Sequence, residues 1–301
     1  MITPSKTKQI GHVRIISSAR SISPEEITTS IEIIKDWNCK ISFGEHLFAK
    51  HHQFAGTIQN RIDDFQTAIN DPGVDVILFA RGGYGSVQLI DFVSFKSLNL
   101  KHKWMVGYSD ITVIHSHVHQ NFNLASIHGT MPINFTGNTR DSIISLENCL
   151  LGGNNSIKVD AHALNRPGIG KGQVVGGNLS ILYSLLGSNS DIDTTDKILF
   201  IEDLDEYLYH IDRMMLNLKR NGKLSRISAL LVGGFTKMND NDIPYGMNAY
   251  EIIKESVKEF DYPVVFDFPA GHSDNNLALY LGVESELISD TKGAHLKQTT
   301  N

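Results

Sequence analysis

Residues 74–85 read Val-Asp-Val-Ile-Leu-Phe-Ala-Arg-Gly-Gly-Tyr-Gly. The first seven form an almost continuous apolar run, introduced by the turn Asp71-Pro72-Gly73 and closed by glycines. A strand buried on both faces has this composition, and such strands belong to parallel sheets covered by helices. Upstream, His12 to Ser17 reads as a first strand. Ser23-Pro24-Glu25-Glu26 is a capping box with proline at the first helical position, which opens a helix to about Trp37. Cys39 to Phe43 reads as a second strand, and Thr57 to Ile69 as a helix with apolar spacing. The β-α-β-α-β order predicts an α/β fold with a parallel sheet and helices on both faces.

Glycines at the C-terminal edge of a parallel strand let backbone N–H groups approach a phosphate or an oxyanion. Arg81-Gly82-Gly83-Tyr84-Gly85 stands at that edge. A dinucleotide fingerprint needs G-x-G-x-x-G after the first strand, so this loop does not predict nucleotide binding. The next strand leads into Lys103-Trp-Met-Val-Gly-Tyr-Ser109-Asp-Ile-Thr112. An apolar run, a Gly-Tyr-Ser-Asp step and a helical segment are the grammar by which several hydrolase folds raise a nucleophilic serine above a sheet. Free N–H groups at the start of the helix could stabilise an oxyanion there. A plain helix N-cap is the alternative reading of Ser109.

The 301 residues carry a formal net charge of −6, which gives no electrostatic reason to expect nucleic acid or an anionic membrane as partner. Hydrophobic residues make up 41% and charged ones 20%, the balance of an ordinary globular protein. With only Cys39 and Cys149 no disulfide framework is in play, and a reducing compartment fits. The segment from Met1 to Gly11 lacks an apolar signal-peptide core, and no run is long enough to span a bilayer. These features predict a cytoplasmic protein.

Past Ser109, His115 and His119 share a helix face, but no acidic residue completes a zinc-hydrolase pattern, so no metal is expected. Leu124 to Ile127 is a short strand that leads into His128, which reads as a structural histidine. The glycine-rich stretch from Gly152 to Gly177 suits a linker and the entry to a second domain. Residues 1–150 are then an N-terminal α/β domain, 151–175 a linker and 176–301 a smaller C-terminal domain. In the latter, Asn178 to Leu186 reads as a helix and Lys197 to Ile201 as a buried strand ending in Glu202-Asp203. Tyr207 to Lys219 is a helix, Ile227 to Phe235 a strand and Ala249 to Phe260 a helix. Pro263 to Asp267 is a strand leading to Gly271-His272-Ser273-Asp274, and Leu277 to Leu296 holds short strands.

Ser109, Glu202 and His272 thus each stand at the end of an apolar strand. A serine hydrolase needs such a set: a neutral histidine takes the serine proton, and a carboxylate fixes its tautomer. Glu202 and Asp203 point to opposite faces of a strand, so only one of them can reach the histidine.

The chain resembles the LD-carboxypeptidase family, the serine peptidases of murein recycling, together with the related microcin C resistance peptidases. The matching pieces are Arg81-Gly-Gly-Tyr-Gly85, Gly107-Tyr-Ser-Asp110, Gly176-Gly-Asn-Leu179, Ile201-Glu-Asp203 with Ile211-Asp-Arg-Met214, and Phe268-Pro-Ala-Gly-His272. The resemblance implies Ser109 as nucleophile, His272 as general base and Glu202 as its orienting acid, with the N–H groups of Gly83 and Asp110 as oxyanion hole. It implies a flavodoxin- or amidotransferase-like N-terminal domain, an active site at the domain interface, a homodimer and no cofactor. The chain departs from the family pattern at Thr130 and Tyr280, where proline is common.

The leading expectation is a carboxypeptidase that cleaves an L-to-D peptide bond and releases D-alanine from a murein tetrapeptide. Such an enzyme must hold a terminal carboxylate, and Arg81 is the candidate for that contact. A peptidase acting on a peptidyl-nucleotide antibiotic is the alternative; only Tyr207 and Tyr209 follow Glu202 as an aromatic platform. A non-catalytic anion-binding protein is the third reading.

Overall fold

A computed structural model describes residues 2–300. The first layer begins with β1 (His12–Ile16), α1 (Pro24–Asp36), β2 (Lys40–Phe43), α2 (Ile58–Asn70) and β3 (Val76–Phe79). It continues through β4 (Trp104–Gly107), α3 (Thr112–Phe122), β5 (Ser126–His128) and α4 (Arg140–Leu151). β2, β1, β3, β4 and β5 lie side by side, all parallel.

Successive side chains of a strand point to opposite faces, and both faces here are apolar. Val13, Ile15, Leu78 and Val106 meet Ile27 and Ile34 of α1 and Leu146 of α4. Ile16, Ile77, Phe79 and Met105 meet Phe65 and Ala68 of α2 and Ile114 and Val118 of α3. The entry to α1 follows its capping box, since the Ser23 N–H donates to the Glu26 carboxylate at 2.7 Å.

The second layer comprises β6 (Asn154–Asp160), β7 (Gly168–Asn178), α5 (Leu179–Leu185), β8 (Ile198–Leu204), α6 (Leu208–Arg220), β9 (Ala229–Thr236), α7 (Ala249–Ser256) and β10 (Val264–Val265). The chain closes with β11 (Leu279–Leu281), β12 (Glu284–Asp290) and β13 (Gly293–Thr299). All of these strands except β11 form a seven-stranded sheet of order β10-β9-β8-β7-β12-β13-β6. β7 to β10 are parallel, whereas β7, β12, β13 and β6 pair antiparallel. Val175, Leu199, Ile201 and Val232 pack under α5, α6 and α7, and Phe200, Leu231, Leu287 and Leu296 share the core on the other face.

Two expectations need correction. The stretch 151–175 is no linker: it supplies β6 and most of β7, strands inside the second sheet. Its glycines serve close approach; a Cβ on Gly170 would stand 2.6 Å from Cβ of Ala229. Nor does the segment 176–301 stay in one layer. β11 leaves it and pairs antiparallel with β5 on the first sheet, where Tyr280 stacks on Trp104 at 5.3 Å and donates from its hydroxyl to the Cys149 carbonyl. Among the described residues, no helix is long and apolar enough to cross a membrane.

The two layers meet beside the serine. The Asn178 N–H at the end of β7 donates to Thr112 Oγ1 at 3.0 Å, and Thr112 opens α3. The C-terminal strand ends of both sheets therefore border one region.

Candidate active site

β4 is buried along its whole length, and Tyr108 continues it in extended conformation at φ −150° and ψ −172°. Ser109 then turns to φ 63°. A left-handed backbone costs a non-glycine residue about 1–2 kcal/mol and persists where its surroundings enforce it. A 3₁₀ turn over Ser109–Ile111 passes directly into α3. This is the strand, sharp turn and helix that the sequence predicts. The glycine loop lies against the serine: a Cβ on Gly82 would stand 3.0 Å from Ser109 Cβ and 3.2 Å from its Oγ. Gly83 follows at φ 115°, with the aliphatic stem of Arg20 packed over it.

Buried polar groups behind the loop fix its position. Asp110 Oδ2 accepts from the Ser86 N–H at 2.8 Å, and the Ser86 and Ser18 hydroxyls bond at 2.7 Å. Arg61, 1% exposed, donates from Nη1 to the carbonyls of Ser18 (2.9 Å) and Gly85 (3.2 Å) and from Nη2 to Gln88 Oε1 (2.8 Å). Burial pushes the Asp110 carboxyl up, against the opposing pull of Ser86, the Gly85 N–H and the Arg61 charge. Sequence reading assigned Asp110 a backbone role and missed this tether.

Glu202 lies in β8 with no solvent exposure. Its Oε2 meets His272 Nδ1 at 2.6 Å and accepts from the His272 backbone N–H at 3.2 Å. Burial alone would raise the Glu202 carboxyl, but the charge and hydrogen bonds of His272 outweigh it and hold the group below the usual range. Burial would likewise lower His272; the Glu202 charge and hydrogen bond reverse this and raise it. The contact requires glycine at 271, at φ 106°, because a Cβ there would fall 2.7 Å from Cβ and Cγ of Glu202. The Gly271 N–H donates to Asn276 Oδ1 at 2.8 Å, and Thr236 Oγ1 donates to the His272 carbonyl at 2.8 Å.

Asp203 takes the opposite face, as strand alternation requires. It accepts from Asn178 Nδ2 at 2.9 Å and from the Ser180 N–H at 2.8 Å, in the first turn of α5. Burial and the neighbouring Glu202 charge push its carboxyl up to about 7.

The serine and histidine elements touch through Tyr108, whose ring centre lies 4.8 Å from that of His272. That contact brings the residue before Ser109 against the Glu202–His272 pair; no hydrogen bond joins Ser109 Oγ to His272. A cavity of about 480 Å³ borders His272, with Tyr108, Asn138, Thr236, Lys237 and Asp274 among its walls. Thr130 bonds through Oγ1 to Asn138 Oδ1 of that wall.

Arg81 does not line this cavity. Its Nη1 donates to the Ser21 carbonyl at 2.9 Å and lies 3.9 Å from Glu26 at the start of α1. Burial lowers its pKa. His115 bonds through Nε2 to the Gly107 carbonyl at 2.9 Å, and burial pushes it down to about 4. Burial pushes His128, packed between Tyr108 and Phe200, down to about 3. Among the described residues no cluster of three or more His, Cys, Asp or Glu could hold a metal. A second hollow, about 450 Å³ between the N-terminal segment and Lys101–Trp104, carries none of the candidate catalytic groups.

The family model of the LD-carboxypeptidase N-terminal domain matches residues 13–129, and that of the LD-carboxypeptidase C-terminal domain residues 171–287. A Bacillus subtilis protein named as a probable murein peptide carboxypeptidase is 29% identical over 289 residues, covering 94% of this chain and 90% of its own. The crystal structure of muramoyltetrapeptide carboxypeptidase from Oxalobacter formigenes superposes with a TM-score of 0.88 at 24% identity, covering 96% of this chain and 99% of that one. The microcin C7 self-immunity protein MccF, in a mutant form in complex with adenosine monophosphate, gives the same score at 21% identity, covering 100% and 99%. Those two solved structures share the fold equally well and do not separate the substrates. The domain order, the strand–turn–serine arrangement and both family models agree, and the chain belongs to the LD-carboxypeptidase family.

Proposed function

We propose that this protein is a serine carboxypeptidase that hydrolyses an L-to-D peptide bond and releases terminal D-alanine from a murein tetrapeptide. The observation that carries the reading is the 2.6 Å Glu202–His272 bond, with the His272 ring packed on Tyr108 beside Ser109. In this reading Ser109 Oγ attacks the scissile carbonyl while His272 Nε2 takes its proton. The N–H groups of Asp110 and Gly83 receive the oxyanion. The C–N bond then breaks, His272 returns the proton to the departing amine, and an ester remains on Ser109. Water, deprotonated by the same histidine, hydrolyses that ester and restores the serine. Glu202 stays ionised and stabilises the imidazolium at both stages.

The murein substrate follows the name of the Bacillus subtilis relative. Cytoplasmic recycling of wall fragments and a homodimer fit the same family assignment. The microcin-type reading keeps the chemistry and changes the leaving group to a nucleotide. As an aromatic platform for the base it has only Tyr207 and Tyr209, whose exposed rings lie 5.6 Å apart just after β8, and this favours the murein substrate.

The deciding experiment incubates purified protein with murein tetrapeptide or with aspartyl sulfamoyl adenosine and reads the products by mass spectrometry. Wild-type protein should release D-alanine, and a folded Ser109→Ala variant should release none. Cleavage of the nucleotide conjugate alone would transfer the reading to the second substrate. Full activity in Ser109→Ala would end the serine mechanism.

A further inference from the structure

The cavity beside His272 is electrically asymmetric. Lys237 and Asp274 both line it, both are exposed, and neither belongs to an ion pair among the described residues. Lys237 follows Thr236, the residue whose hydroxyl holds the His272 carbonyl. Its backbone sits at φ 53°, a left-handed conformation that a lysine does not adopt without constraint. Contacts on both sides of it impose that conformation. The Asp205 N–H donates to the Thr236 carbonyl at 3.0 Å, and the Asn239 N–H donates to the Glu206 carbonyl at 2.8 Å. Asn239 also receives the Leu208 N–H at 2.9 Å and donates from Nδ2 to Asp205 Oδ1 at 2.9 Å. The turn that carries Lys237 is therefore tied to the chain leaving β8, and through Thr236 to the histidine loop.

We infer that Lys237 is the specificity-determining residue that receives the free terminal carboxylate of the peptide. This inference rests on the serine-carboxypeptidase reading. His272 must return a proton to the departing amine, so the leaving residue lies on the histidine side of the scissile bond, where the cavity opens. The carboxylate of that residue is separated from its amine by a single carbon, within the reach of a lysine on the cavity wall. An ammonium on a long stem meets a carboxylate as a point charge. Arg81, which sequence proximity to the glycine loop suggested for this contact, is turned to α1 instead.

The test compares hydrolysis of the tetrapeptide as free acid and as its C-terminal amide by wild type, Lys237→Met and Lys237→Arg. Circular dichroism and thermal melts verify the fold. Wild type should favour the free acid by about 10- to 100-fold in kcat/KM, the range of one charge-assisted hydrogen bond. Lys237→Met should bring the ratio near one, largely through KM, and Lys237→Arg should restore most of it. A folded Lys237→Met enzyme with the wild-type ratio would overturn the carboxylate role while leaving the serine mechanism standing. Failure of wild type on both peptides would overturn the functional reading and the anchor with it.

Discussion

Around Ser109 the backbone is held by buried charge: Arg61, Asp110, Ser86 and Ser18 tie the glycine loop to the serine turn from behind. Around His272 the chain is held by close packing: Gly271 lets the loop lie on Glu202, and one carboxylate oxygen serves both the ring and the backbone of the histidine. The two halves come from different sheets and lean on each other through Tyr108 and through the Asn178–Thr112 bond. Damage should therefore differ in kind. On the histidine side it should fall on turnover, and on the serine side on stability.

The largest effect belongs to the histidine side. Glu202→Gln keeps shape and burial but removes the charge that raises His272 and fixes its tautomer. By analogy with amide-for-carboxylate replacement in serine proteases, kcat should fall by about 10³- to 10⁴-fold. The pH profile sharpens the point. His272 works as a base only when neutral, and its pKa is raised above 6.5, so wild-type kcat/KM should climb with pH through a value above 6.5. In Glu202→Gln the residual activity should climb at lower pH. A variant profile that coincides with the wild-type one would show that Glu202 does not set the histidine. Stability follows the same shifts with opposite signs. The depressed Glu202 adds stability that is lost as pH falls through its folded value, below 4.5. The raised His272 adds stability that is lost as pH rises through its own. The stability difference between wild type and variant should thus be greatest between about pH 4.5 and 6.5.

On the serine side, Arg61→Met should act mainly on stability. It leaves the carbonyls of Ser18 and Gly85 without the Arg61 donor and removes the positive charge that acts on Asp110. Removing one member of a buried charged cluster costs about 3 kcal/mol, which urea unfolding would read directly. Turnover of the protein that remains folded should drop far less than in Glu202→Gln. A variant as stable as wild type would show that the clamp adds nothing to loop stability.

Legibility in the sequence divides along the same line. The serine side is readable because its signals are contiguous: one apolar run, one turn and one helix, each a local consequence of residue type. Glu202 and His272 are readable as strand-end residues, and alternation along β8 separates Glu202 from Asp203. Most of what fails depends on strand order. Glycines at 168–177 look like a flexible linker until β12 pairs with β7 on one side and β8 on the other. Leu279–Leu281 gives no sign that it will cross to the first sheet. Sequence reading also missed helix α4, whose signals are local: Thr139 caps it, accepting the Ser142 N–H, and Leu146, Cys149 and Leu150 repeat on its buried face. Lys237 could not be found by position, because its place at the His272 cavity follows from the bridge between Gly234 of β9 and Gly271 and from the Thr236–His272 bond.

The smallest effect should come from Arg81, the cation that sequence proximity favours. Its side chain is 24% exposed, its carboxylate partner stands at 3.9 Å, and its one firm contact is the Ser21 carbonyl. A partly exposed pair at that separation contributes between zero and about 1 kcal/mol, and one neutral acceptor adds about as much. Arg81→Gln should therefore lower unfolding free energy by about 1 kcal/mol and leave the preference for a free carboxylate intact. Kinetics on the acid and amide peptides, run beside Lys237→Met, separate the two cations. If Arg81→Gln erased the preference and Lys237→Met did not, the carboxylate would lie on the glycine-loop side of the serine. The peptide would then cross the site in the opposite direction, with the leaving amine turned away from His272.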